Sequence, residues 1–243
     1  MSRFTVEVHD GGAGVEPLAV AEPLTIALPK GRLLPPSVRV LSSVGVDCSS
    51  VSESSRKLVF ASGDGRTKFV VVRPGDVPTY VEYGAADLGV AGKDVLLEGQ
   101  RDVCELLDLE FGACRMVLAA RKGEERIRIN GYPSVVRVAT KFPVIAASYF
   151  RSEGIHAEIV KVSGAAEIAP AAGLSNAIVD IVATGKTLRE NDMVVLDNIL
   201  TSTARLIANR ASFRLKHDRI EALVSSLRES LLNRGETSEG LAR

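Results

Sequence analysis

Short apolar runs rich in β-branched residues recur along the chain, most of them followed by a turn and a helix-forming stretch. The clearest are Leu24–Leu28, Asp87–Ala91, Val135–Thr140, Ala157–Val162 and Ala177–Val182. Each is too short for a typical helix and nearly continuous in apolar residues, as a strand covered on both faces must be. Alternation of such strands with helices leaves few folds open and predicts an α/β architecture with parallel sheets. Helices are expected from Pro35 to about Gly45, with prolines in the first turn, and from Asp76 as cap through Tyr83 to a stop at Gly84. Others are expected over the VLLEG that follows Lys93-Asp94, about 144–154, and after Gly164. Further strands fall near 57–61, 68–72, 103–107, 115–120 and 202–209. Ile220, Leu223, Val224, Leu227 and Leu231 recur at helical spacing, and their stripe must cover apolar surface, most simply in the first half of the chain. Residues 1–22 show little periodicity and read as a mobile leader.

Composition excludes several functions. The chain has 243 residues, enough for one large domain or two smaller ones, and 46% are hydrophobic, which rules out wholesale disorder. Lys and Arg number 30 against 30 Asp and Glu, so no net positive field would hold a nucleic-acid backbone. No run approaches the roughly 20 apolar residues of a membrane helix. The first residues lack the basic-then-apolar order of a secretion signal, so a cytoplasmic location is expected. Cys48, Cys104 and Cys114 form no C-x-x-C pair, and read as inert thiols rather than a disulfide or zinc framework.

The most informative segment is AIVDIVATGKTLREN, residues 177–191, where an apolar strand runs into Ala183-Thr184-Gly185-Lys186-Thr187 and then a helix. Backbone amides in such a turn converge on the positive end of a helix dipole and make an anion site. Gly185 permits close backbone approach, and Thr184 and Thr187 add hydroxyl donors. A nucleotide P-loop needs glycine five positions before Gly185, where this chain has Asp180. A carboxylate there repels a triphosphate but suits the hydroxyls of a ribose whose 5-phosphate lies in the turn. The competing reading is a tight connection without a ligand. A second group is basic: Lys30, Arg32, Arg56, Lys57, Arg73 and Lys93. Singly these are solvated surface residues; together, at strand ends of an open sheet, they point to an anion-rich substrate.

Seven strings in order carry a resemblance to a known family: ALPKGRLL (27–34), SSRKLVF (54–60), VRPGDVPTYVEYGAADLGVAGKDVLLE (72–98), ELLDLEFGACRMVLAA (105–120), RVATKFP (137–143), VSGAAEIAPAAGLSNAIVDIVATGKTLREN (162–191) and RLIANRASFRLKH (205–217). With them the chain resembles the ATP phosphoribosyltransferases of histidine biosynthesis, in their short form. The resemblance implies a two-lobed fold like a type II periplasmic binding protein, with a discontinuous first domain. That domain would comprise 23–112 plus 198–243 and take the ATP side; the second, 113–197, would hold the phosphoribosyl diphosphate loop. It implies ATP and 5-phosphoribosyl 1-diphosphate as substrates, with Mg²⁺ carried on their phosphates and no dedicated protein metal site. It also implies a histidyl-tRNA-synthetase-like regulatory subunit in a hetero-octamer, with a homodimer when the catalytic subunit is alone. By motif match, Arg32 and Arg56 stabilise the leaving pyrophosphate, and Lys30, Gly31, Arg73, Asp76 and Lys93 meet ATP or pyrophosphate, Tyr83 more weakly. Ala183, Thr184, Gly185, Lys186 and Thr187 seat the 5-phosphate, while Asp180 and Glu167 face the ribose hydroxyls, with ATP an equal alternative for Glu167. The rival is a two-lobed binding module for a phosphorylated small molecule, without catalysis.

Overall fold

The computed structural model describes residues 22–52, 55–124, 135–182 and 185–240, the side chains of 234–240 excepted. Most of the expected leader, together with Ala183 and Thr184, lies outside the described residues. Two mixed sheets form the frame. In the first, β1 (Leu24–Pro29) lies between β3 (Thr67–Val72) and β4 (Leu88–Gly92), parallel to both. β2 (Val59–Ala61) pairs antiparallel with β3 at one edge. β11 (Ala204–Ala208) and β5 (Cys104–Asp108) follow β4 at the other edge, both in antiparallel pairings. In the second sheet, β9 (Ala177–Val182), β7 (Val136–Thr140) and β8 (Ala157–Lys161) run parallel. β6 (Cys114–Arg121) and β10 (Met193–Ser202) complete it in antiparallel pairing. The expected parallel sheets are thus mixed ones. β2 and β3 form a hairpin, and β5–β6 and β10–β11 pass directly from one sheet to the other.

Residues near 193–201 carry no strand in the sequence reading, yet β10 is the longest strand. Asp197 and Asn198 break its period of two, and the strand absorbs them as register shifts between Val195 and Asp197 and between Asn198 and Leu200. Tyr149 donates its hydroxyl to Asp197 at 2.7 Å. The second crossing therefore falls at Thr203 rather than near 197, because residues 198–202 still pair with β6. The two crossings lie side by side: Leu109 N–H donates to the Ala204 carbonyl at 2.9 Å, and Ala204 N–H to that of Phe111 at 2.9 Å.

Helices cover the first sheet on both faces. α1 (Leu34–Ser43) and α7 (His217–Gly240) share one core with β1, β3 and β4; Ile220, Val224 and Leu227 are buried there, so the C-terminal stripe covers the first half as expected. On the other face Val77 and Val81 of α2 (Val77–Glu82) pack on Ala27, Ala91 and Ile207. A Cβ at Gly89 would stand 2.7 Å from Val81 and 2.8 Å from Val77, which is why β4 carries glycine under α2. Asp76 does not cap α2; it lies in a 3-10 turn, Pro74–Asp76, with helical backbone and no side-chain cap bond. Asn209 instead holds this region. Its side-chain oxygen accepts from Ala211 and Ser212 N–H, starting α6 (Arg210–Leu215), and its amide donates to the Val81 and Glu82 carbonyls that end α2. α6 has no counterpart in the sequence reading. The expected helix after Gly164 is one 3-10 turn, Ala166–Ile168. α4 (Pro143–Ser152) covers the second sheet through Ile145, Ala146 and Phe150. Among the described residues no helix is long and apolar enough to cross a membrane.

Candidate active site

β9 delivers Asp180 near its C-terminal end, and the chain then turns into α5 (Lys186–Glu190). Gly185 caps α5 with φ of 72°, a left-handed conformation that side chains with a Cβ rarely adopt. A cavity of about 300 Å³ opens at this turn, lined by Lys141, Glu167, Asp180, Ile181, Val182, Gly185, Lys186, Thr187 and Leu188. Thr140 fixes the neighbouring strand end: its buried hydroxyl donates to the Val179 carbonyl at 2.6 Å and accepts from Phe142 N–H at 2.9 Å. That bond carries Lys141 to the cavity rim beside Asp180. Burial raises the Asp180 pKa above the usual carboxylate range. The Ile181 N–H, donating at 2.8 Å, and the Lys141 charge oppose that rise, while Glu167 adds to it. Two carboxylates thus face one small space as hydroxyl acceptors.

A second cavity, about 160 Å³, lies where the two sheets meet. Lys30, Arg32, Leu33 and Pro74 line it from loops of the first sheet, and Gly92, Asp94 and Val95 from the start of α3 (Lys93–Gly99). Gly112, Cys114 and residues 202–204 line it from the two crossings, and Ile181 comes from β9. Ile181 borders both cavities, so they share a wall. Gly31, with φ of 85°, makes the tight turn after β1, and its carbonyl accepts from Leu34 N–H at 2.8 Å. This turn sends Arg32 toward the first crossing, where its guanidinium donates to the Gly112 carbonyl at 3.4 Å. Glycine is needed at 112 as well: a Cβ there would run into the Leu33 side chain, and its φ is 70°. Arg32 also lies against Cys114. Burial and then the nearby Asp94 raise that thiol's pKa, and Arg32 opposes them, so Cys114 is a protonated, inert thiol. Asp94 and Ser202 are both buried and bonded to each other, the Ser202 hydroxyl donating at 2.5 Å. Their pairing anchors α3 to the end of β10.

The other sequence candidates are placed differently. Arg73 and Asp76 flank Pro74 with exposed side chains. Lys93 does not line the second cavity; Glu105 takes its ammonium at 2.6 Å, which turns it toward β5. Arg56 is exposed in the loop before the edge strand β2 and lines neither cavity, and Tyr83 is 77% exposed. Lys141 escaped the sequence reading. It follows a strand end in the same way as Lys30, and that position is the signal that marks it.

Glu98 of α3 links the two sheets across the molecule. Its carboxylate accepts from Val144 N–H at 3.1 Å and Ile145 N–H at 3.1 Å, capping α4 from the other lobe. Glu98→Ala is expected to remove about 1 kcal/mol, the usual worth of such a cap. That corresponds to about 2–4 °C in melting temperature for a chain of this size. A melt superimposable on wild type would show that the contact carries no weight.

A glycine turn beside two carboxylates, sharing a wall with a crevice that holds Lys30 and Arg32, is an arrangement suited to a transferase of anionic substrates. Comparisons with known proteins agree. The HisG family model, ATP phosphoribosyltransferase, matches residues 73–229. The chain is 49% identical over 215 residues to the ATP phosphoribosyltransferase of Desulfitobacterium hafniense, covering 86% of this chain and 96% of the relative. It is 47% identical over 204 residues to that of Geobacter metallireducens, covering 84% and 96%. A solved ATP phosphoribosyl transferase (HisG:HisZ) complex from Thermotoga maritima aligns with TM-score 0.70 and 37% identity over 85% of this chain and 96% of that one. The alkanesulfonate-binding protein SsuA from Xanthomonas axonopodis, at 16% identity and TM-score 0.51, shares the fold alone. The chain belongs to the ATP phosphoribosyltransferase family, transferases that catalyse the first step of histidine biosynthesis.

Proposed function

We propose that this chain joins ATP to 5-phosphoribosyl 1-diphosphate, giving N1-(5-phosphoribosyl)-ATP and pyrophosphate. The observation that carries the reading is the shared wall at Ile181, which sets a phosphoribosyl-sized cavity against a crevice holding Lys30 and Arg32. The 5-phosphate sits in the turn at 183–187, the ribose hydroxyls donate to Asp180 and Glu167, and the diphosphate points into the basic crevice. The lone pair on adenine N1 forms the new bond to the anomeric carbon as the bond to diphosphate oxygen breaks. The electron pair leaves with pyrophosphate. N1 carries no proton, so no general base is required, and the work falls to alignment and charge stabilisation.

Arg32 meets the negative charge that grows on the leaving pyrophosphate, for which its bidentate, permanently charged fork is suited. Lys30 adds a point charge. Arg56, Arg73 and Asp76 keep their assignment by motif match. Lys93 acts only if Glu105 releases it. Mg²⁺ enters as part of the substrates, bound by their phosphate oxygens and water. The Thermotoga maritima structure, a complex of HisG with HisZ, supports a second subunit as partner; that this partner is a histidyl-tRNA-synthetase-like regulatory subunit, forming a hetero-octamer, with a homodimer in its absence, follows from the family resemblance. A cytoplasmic location fits a reaction that consumes ATP and 5-phosphoribosyl 1-diphosphate.

The test is a mass measurement: purified chain with ATP, 5-phosphoribosyl 1-diphosphate, Mg²⁺ and pyrophosphatase. An adduct of phosphoribosyl-ATP mass is expected. No adduct, with the regulatory subunit present, would leave the scaffold as a binding module.

A further inference from the structure

We propose that Lys141 is a positioning residue of the phosphoribosyl cavity, holding Asp180 as an anionic acceptor for the ribose hydroxyls. The inference rests on the reading of that cavity as the donor site. Ionised, Asp180 offers only acceptors to the ribose hydroxyls; protonated, it loses part of that capacity to an O–H donor and no longer carries the charge that strengthens each bond. Its surroundings work against ionisation. It is partly buried, and Glu167 lines the same cavity as a second negative charge. On β6 its partner in register is Val117, which is buried and offers no charge.

Three elements bring titratable groups to this cavity. Lys141 stands at the end of β7, Glu167 in the 3-10 turn, and Lys186 and Arg189 on α5, the Arg189 guanidinium 3.2 Å from where a Cβ on Gly185 would stand. Lys30 and Arg32 stand in the second cavity, beyond Ile181. Of the two lysines, Lys186 has its ammonium 3.7 Å from Glu190 on its own helix, so its charge is shared with that carboxylate. Lys141 has a different setting. The Thr140 hydroxyl pins its backbone to β9, where Thr140 is the register partner of Val179, the residue before Asp180. The strand end that carries Lys141 is thereby held beside that of Asp180, both line the same cavity, and the lysine charge favours the carboxylate. Lys141 is exposed, so its ammonium remains hydrated and its removal leaves no buried void.

The consequence has a definite sign. Without Lys141, Asp180 holds its proton to higher pH, so donor affinity falls first on the acid side and recovers as pH rises. The test is calorimetric binding of 5-phosphoribosyl 1-diphosphate with Mg²⁺ to the full chain from about pH 4.5 to pH 8.5, a range that begins just above the ordinary aspartate value. Lys141→Met, Lys141→Arg and Asp180→Asn are compared with wild type at each pH, so the donor's own titration cancels. Lys141→Met is expected to weaken binding most at the acid end of the range, with the deficit shrinking toward pH 8.5 as Asp180 ionises in both proteins. Lys141→Arg should keep wild-type affinity, and both variants should melt with wild type. A Lys141→Met deficit of constant size across the range, or no deficit, would overturn the proposal. Asp180→Asn separates the two readings. If it loses donor binding while Lys141→Met does not, the lysine's role fails and the donor site stands. If Asp180→Asn binds as tightly as wild type, the donor site itself is misplaced and the proposal goes with it.

Discussion

Arg32→Ala is expected to lower single-turnover formation of the adduct by about 10²–10³-fold, the usual effect of removing one preorganised charge-stabilising donor. The guanidinium stands in the crevice between the sheets, held toward the first crossing by the Gly112 carbonyl. Pyrophosphate gains negative charge as it departs, so the contact strengthens in the transition state and its loss appears in the chemical step. Arg32 is exposed and supports no core, so the fold should survive. Arg32→Lys keeps the charge and loses the fork, and should recover only part of the rate. Arg56→Ala tests a different matter. The motif match places this residue at the leaving group, whereas the chain leaves it at the outer edge of the first sheet. Full single-turnover rates in both alanine variants would remove the leaving-group role from both arginines.

Gly185→Val and Asp180→Ala are each expected to abolish measurable donor binding, through unrelated mechanisms. Gly185 holds a φ of 72°, and a Cβ there would stand 3.2 Å from the Arg189 guanidinium. Valine is among the residues least able to adopt that backbone, so the start of α5 must rearrange at the cavity wall. Asp180→Ala leaves the turn intact and removes a carboxylate that faces the cavity. Circular dichroism checks that both variants fold. Calorimetry with 5-phosphoribosyl 1-diphosphate reads the effect, and undiminished affinity in both would move the site elsewhere.

Much of this was legible in the chain itself. The strand AIVDIV, the glycine that follows it and the acid within it lie close in sequence, and local rules suffice to read them as an anion site. The turn at Gly31 and the amphipathic stripe from Ile220 to Leu231 are equally local, and both appear where periodicity and turn chemistry put them. Asp76 marks the limit of that logic. It is a good capping residue just before a helix, yet the preceding Pro74-Gly75 turn brings it in with helical backbone, and no cap bond forms. Strand β10 escaped because its pairing tolerates two irregularities around Asp197 and Asn198, and α6 because its cap, Asn209, also spends its amide on the distant end of α2.

Residue identity and local order set the chemical groups on offer: a glycine turn after an apolar strand, an acid within that strand, and basic residues at strand ends. Tertiary structure alone decided which of those groups meet. Lys93 and Arg32 carry the same charge at similar turns, but Glu105 stands beside one and the open crevice beside the other. Lys141 and Asp180 are 39 residues apart and become neighbours only because β7 and β9 pair in parallel register. Periodicity and turn rules act over a few residues; charge pairing acts over a few ångströms, and only the folded sheets bring distant strand ends within that range.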